Sequence, residues 1–184
     1  PDLIGCNLVR NSEYGLIQGT IVETEAYSQE EEACHGYHRM TPSNKSLFGI
    51  PGTFYIYKSY GIHHCLNIVT DRENYASGVL LRAVFISDKH ERLASGPGLV
   101  TKTFGVDLSF NSLKIFDNNV LWITEPKLNL GKKDLIQTTR IGISKAKNIR
   151  WRWYLQRSRS VSKRERGDKT PKFKKPSNHL SLNL

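Results

Sequence analysis

No apolar run in these 184 residues approaches the roughly 18 to 20 needed to cross a bilayer, so no membrane span is expected. Cysteine is scarce: Cys6, Cys34 and Cys65 make an odd count without the spacing of a disulfide framework, which favours a reducing compartment. The opening PDLIGCNLVR carries no basic-then-apolar leader, so no secretory signal is expected. An intracellular protein follows, in a bacterial cytoplasm or nucleoid or in a eukaryotic nucleus. Acidic residues are few beside basic ones, 17 against 27, for a formal net charge of +10. No internal repeat or linker divides the chain.

The surplus charge is concentrated. Residues 150–175, RWRWYLQRSRSVSKRERGDKTPKFKK, hold 11 Lys and Arg against Glu165 and Asp168, so the rest of the chain is almost balanced. Cations interleaved with Trp151, Trp153, Tyr154 and Phe173 suit a polyanion with stackable bases, and nucleic acid is the leading partner. RWRWYL alternates like an ordered strand, whereas the stretch after 162 reads as loose. The expected organisation is one domain over 1–162 and a basic, flexible tail over 163–184.

Hydrophobic patterning gives the elements. A short helix within residues 1–10 is expected to feed a strand, followed by a strand, a Gly-marked bend and a strand in YGLIQGTIVETEAY. Residues 28–52 read as loop. TFYIYK and HHCLNIVT read as a hairpin turning near Ser59-Tyr60-Gly61. GVLLRAVFI reads as a strand buried on both faces, and SDKHERLASGPGLVTKTFGV as helical on either side of SGPG. VLWIT, TTRIGISKA and RWRWYLQRS complete the strands. Strands and helices are segregated, so the fold class is α+β: one compact mixed domain with a curved, largely antiparallel sheet and a protruding hairpin.

Three places carry chemistry. In TIVETEAY an extended chain sets Ile21, Glu23, Glu25 and Tyr27 on one face, either a solvated face or a site. Arg82 is the one charge inside GVLLRAVF and calls for a partner such as Glu23 or Glu25, whether for structure or for catalysis. Tyr60 at the hairpin tip suits a wedge pushed into a duplex, or a ring lying over its own stem. His35, His38, His63 and His64 lie near Cys34 and Cys65, but without paired C-x₂-C spacing or H-E-x-x-H, so no metal is expected. Gly96 and Gly98 of SGPG offer backbone N–H groups to phosphate.

These pieces occur in an order that resembles the alkyladenine (3-methyladenine) DNA glycosylase family of base-excision repair. The matching stretches are GTIVETEAY (19–27), ACH (33–35), TPSNKSLFGIPGTFYIYKSYGIHHCLNIV (41–69), GVLLRA (78–83), SGPG (95–98), TTRIGI (138–143) and WRWYL (151–155). The resemblance implies that Glu25 is the general base, that Arg82 helps to hold the attacking water and that the carbonyl of Leu155 contacts it. It implies a base pocket from Tyr27, His35 and Tyr57, with Asn67 disfavouring an exocyclic 2-amino group, and an intercalating Tyr60. It also implies a fold like a formyltransferase C-terminal domain. DNA-backbone contacts are expected from Gly96, Gly98, Arg140, Arg157 and Arg159. Three departures bear on pocket shape: a loop one residue shorter between Tyr27 and His35, TPSN where TPRN is usual, and QRSRSVS after WYL.

The implied reaction suits these residue types. A stacked nucleotide hides its anomeric carbon, so the base must be flipped out, at a cost of a few kcal/mol. A carboxylate both takes a proton from water and stabilises the positive charge developing on the sugar. Cationic alkylated purines are attracted to aromatic walls by about 0.5–2 kcal/mol. With no Lys beside Glu25 in the motif, water rather than a Schiff base is the expected nucleophile, giving a monofunctional enzyme without a lyase step. The expected activity is hydrolytic release of 3-methyladenine, 7-methylguanine, hypoxanthine or ethenoadenine from duplex DNA by a monomer that needs no cofactor. The competing reading is a non-catalytic protein that binds damaged DNA on the same scaffold.

Overall fold

A computed structural model describes residues 1–126 and 130–172. The backbone is dominated by eight strands in one antiparallel sheet: β1 (Asn7–Ser12), β2 (Gly15–Ser28), β3 (Phe54–Ser59), β4 (His63–Val69), β5 (Ser77–Phe85), β6 (Leu121–Thr124), β7 (Leu135–Thr138) and β8 (Arg152–Leu155). The main path runs β3-β4-β5-β2-β1-β6. β2 is long enough to take two neighbours in succession along one edge: β1 pairs with residues 15–20, and β8 with Glu23–Glu25. β7 then pairs with β8.

Alternation along β3 and β4 sorts the side chains. Phe54, Ile56, Leu66 and Ile68 enter a core shared with Leu8, Ile21, Leu81, Val84 and Leu121. Tyr55 joins a second, smaller cluster with Cys34, Leu47, Phe48, Val69 and Ala76, against which Tyr27 and Tyr57 pack. The one α-helix among the described residues, α1 (Pro97–Phe104), starts on a Pro at its N-terminus and stops at Gly105 in the left-handed conformation. It covers the first core with Val100 and Phe104, each worth about 1.5–3 kcal/mol when fully buried. Gly98 has to lack a side chain, because a Cβ there would meet His63 Cγ at 2.9 Å.

The α+β description holds with fewer helices than expected. Residues 1–6 form turns closed by i→i+3 bonds such as Ile4 N–H to the Pro1 carbonyl, not a helix. The segment before SGPG is also turns: Asp88 sits at φ 58°, which no right-handed helix accommodates. TTRIGISKA leaves the sheet after Thr138, where the Arg140 side chain and the Ile141 N–H turn inward to carboxylates and Gly142 adopts φ 75°. GVLLRAVFI is buried on both faces through most of its length, as its composition implies. No described helix is long and apolar enough to cross a membrane.

The packed chain continues past residue 162. Asp168 accepts from Tyr154 and Arg164, and the Lys163 carbonyl accepts from Arg152. The remainder of the expected tail, from 173, lies outside the described residues.

Candidate active site

The pairing of β2 with β5 carries two irregularities. Between Ile21 and Glu23 the extra residue is Val22 of β2, and between Glu23 and Thr24 it is Arg82 of β5. Bulges re-aim side chains. Here the displaced Arg82 reaches both carboxylates of its neighbour strand: Nη1 lies 3.3 Å from Glu25 Oε2, and Nε 3.6 Å from Glu23 Oε1. Glu23 and Glu25 are both fully buried, so TIVETEAY is not a solvated face.

Glu25 is surrounded by donors. The Tyr27 hydroxyl donates to Oε2 at 2.7 Å, beside Arg82 Nη1, and the Ile141 N–H donates to Oε1 at 2.7 Å. Such bonds orient the group. Burial, reinforced by the Glu25 charge, pushes the Tyr27 phenol well above its ordinary range, so Tyr27 remains a donor. Glu23 is matched differently, accepting from Arg152 Nη1 at 2.8 Å and from the Ser162 N–H at 2.6 Å.

A cavity of about 640 Å³ is lined by Tyr27, His35, Tyr55, Tyr57 and Asn67. Register puts Tyr55, Asn67, Leu80 and Glu25 in one row across β3, β4, β5 and β2. Glu25 itself does not line the space and is joined to it through the Tyr27 hydroxyl. His35 lies 4.1 Å from the Tyr57 ring, centroid to centroid, and its Nδ1 is 3.1 Å from the Tyr55 hydroxyl. Burial lowers the His35 pKa and raises those of Tyr55 and Tyr57, so all three rings are held neutral. The Asn67 amide donates to the carbonyls of Tyr55 and Cys65, which fixes the plane it presents to the cavity.

The hairpin follows from its sequence. Tyr60 at φ 50° and Gly61 at φ 69°, closed by a bond from Ile62 N–H to the Ser59 carbonyl, make a type I′ turn. The Tyr60 side chain is 90% exposed rather than folded over the stem.

Other expected residues stand elsewhere. Arg140, expected at the DNA backbone, is buried: it forms a two-pronged pair with Glu31 and stacks 4.6 Å from the Tyr27 ring centroid, bracing the cavity wall. Arg159 pairs with Glu91 and bonds the Pro171 carbonyl, while Arg157 is exposed. Gly96 caps α1, and Gly98 packs on His63. Leu155 is fully buried, and its carbonyl accepts from the Ser158 N–H.

Sequence reasoning missed the loop 139–151, which sends Gly142, Ile143, Ser144, Lys145 and Lys147 to the cavity and the Ile141 N–H to Glu25. A backbone donor leaves no composition signal. Arg152 did leave one, being a charge inside an alternating apolar strand just as Arg82 is.

An aromatic cavity joined to a donor-saturated carboxylate, beside a hairpin that exposes a tyrosine, is the outline of an enzyme working on an unstacked base. Family comparison makes the class specific: the model described as methylpurine-DNA glycosylase (MPG) matches residues 1–159. Relatives provisionally named 3-methyladenine DNA glycosylase include one from Trichodesmium erythraeum, 41% identical over 89% of this chain and 90% of its own length. One from Synechococcus elongatus is 42% identical over 89% of this chain and 84% of its own length. Another, from Carboxydothermus hydrogenoformans, is 39% identical over 89% and 91%. The chain belongs to the methylpurine-DNA glycosylase family, whose members are base-excision repair hydrolases of the N-glycosyl bond.

Proposed function

We propose that this protein flips a damaged purine from duplex DNA into the 640 Å³ cavity and hydrolyses its N-glycosidic bond with water activated by Glu25. The observation that carries the reading is a fully buried carboxylate, supplied with three donors, one of which is the hydroxyl of the cavity-lining Tyr27. Buried in that way, the charge acts in a low-dielectric setting, where it stabilises a developing oxocarbenium ion more strongly than it would in water. The flipped base is held among Tyr27, His35 and Tyr57, and cationic alkylpurines gain from the rings. Asn67 selects against an exocyclic 2-amino group, and Arg82 and the Leu155 carbonyl help to hold the water. Tyr60 fills the gap left in the duplex. Lys58, Lys145 and Lys147 line the cavity, but Glu25, not a lysine, is the group given donors on three sides; water is the nucleophile in this reading and the strand is left uncut. The active species is a monomer on double-stranded DNA inside the cell, built on a formyltransferase C-terminal-domain-like topology.

The test is release of free base from duplexes carrying one 3-methyladenine, 7-methylguanine, hypoxanthine or ethenoadenine. Release by the parent, lost in Glu25→Gln while that variant still binds the same duplex, supports the mechanism. Normal release by Glu25→Gln refutes it, and tight binding without release by the parent leaves a damaged-DNA-binding protein.

A further inference from the structure

We infer that Arg152 is the positioning residue for Glu25, holding in place both the cation and the backbone amide that face that carboxylate. The inference rests on the reading of Glu25 as the base. Arg152 lies directly opposite Glu25 in the pairing of β8 with β2, and its side chain is almost wholly buried. It is not among the residues that line the cavity. Its three donor contacts each lead back to the site: Nη1 to Glu23 Oε1 at 2.8 Å, Nη1 to the Lys163 carbonyl at 2.7 Å, and Nε to the Thr139 carbonyl at 2.7 Å.

The contact with Thr139 tethers the loop two residues before Ile141, whose N–H donates to Glu25 Oε1. The contact with Glu23 acts through charge. Two carboxylates and two guanidiniums are buried together, and Glu23 lies closer to Arg152 (2.8 Å) than to Arg82 (3.6 Å). Arg152 therefore answers Glu23, which leaves Arg82 to face Glu25. Without Arg152, Glu23 competes for Arg82, and Glu25 loses the cation that faces it. The contact with Lys163 locks in the segment whose Ser162 N–H completes Glu23.

Other groups around Glu25 do not replace it. Tyr27 comes from the same strand, Tyr57 and Cys65 from β3 and β4 have raised pKa values and stay uncharged, and Arg140 of the loop is taken by Glu31.

The experiment measures single-turnover base release, binding to a duplex with an uncleavable abasic-site analogue, and thermal unfolding. The variants are Glu25→Gln, Arg152→Gln, Arg152→Lys and the double variant Glu23→Gln/Arg152→Gln. Arg152→Gln is expected to slow release by roughly 10- to 100-fold with binding retained, as misplacement of a reacting group does. Arg152→Lys, which restores the charge without the planar fork, is expected to return part of the rate. A folded Arg152→Gln with the parental rate overturns the inference, as does a slower variant that has lost duplex binding in proportion. If Arg152→Gln fails to fold, the double variant is read in its place, since it leaves no buried charge unpaired. Slow release with binding retained then supports the tether, and a parental rate overturns it. An active Glu25→Gln refutes the base itself; an inactive Glu25→Gln beside a parental Arg152→Gln refutes this inference alone.

Discussion

At the scale of single residues, the site depends on keeping one charge and excluding others. Glu25 is supplied with donors, while the rings that line the cavity are kept neutral by burial. His35 gives the sharpest test of that division. Its folded pKa lies below the ordinary histidine value, so the folded state prefers the neutral ring and this group favours folding more as pH rises through the histidine range. An NMR titration is expected to find His35 titrating below the ordinary histidine range, with its bond to the Tyr55 hydroxyl rearranging as the ring takes up a proton. Glu91 has the same sign: its bond to Arg159 holds its carboxyl below the usual range, so it too favours folding more as pH rises. That pair is lost as pH falls through the depressed value. What the sequence made legible at this scale was juxtaposition: Tyr27, His35, Tyr57 and Asn67 line one cavity, and Glu25 bonds the Tyr27 hydroxyl. What was not legible was commitment. Arg140 looks like any cation of a basic protein until Glu31, distant in sequence, is seen to occupy it.

At the scale of elements, two short devices carry the geometry. The first is the I′ turn at Tyr60-Gly61. A left-handed tyrosine costs about 1–2 kcal/mol, and Asn-Gly is the favoured pair for this turn. Tyr60→Asn is therefore expected to keep or raise the thermal midpoint while slowing base release, since roughly 1–3 kcal/mol of stacking is removed. A variant with parental release excludes the wedge. The second device is the double irregularity between β2 and β5. Strand positions and their buried faces were readable from alternation and β-branched composition. A bulge was not, because its signature is a relation between two strands and not a pattern within one. The two overestimated helices failed for a local reason, the turn geometry around Pro1–Cys6 and Asp88.

At the scale of the whole molecule, the net charge of +10 governs encounter with DNA. Affinity is expected to fall with salt, and Lys145→Ala with Lys147→Ala in the cavity lining to reduce the log–log slope by about 0.9 for each phosphate no longer neutralised. Ending the chain after Lys172 isolates the contribution of residues 173–184 to the same slope. Ending it after Ser162 is a different operation, expected to lower the thermal midpoint, because it removes Lys163, Arg164 and Asp168 from Arg152 and Tyr154. The two neighbours that share one edge of β2 have a further consequence. Glu25 lies on β2, yet the backbone amide that bonds its Oε1 comes from Ile141, and the partners of neighbouring Glu23 come from Arg152 and Ser162, more than a hundred residues later in sequence. On the proposed reading of Glu25, a chain stopped before residue 139 carries Tyr27, His35, Tyr55 and Tyr57 without the amide that orients the carboxylate, and is expected to release no base.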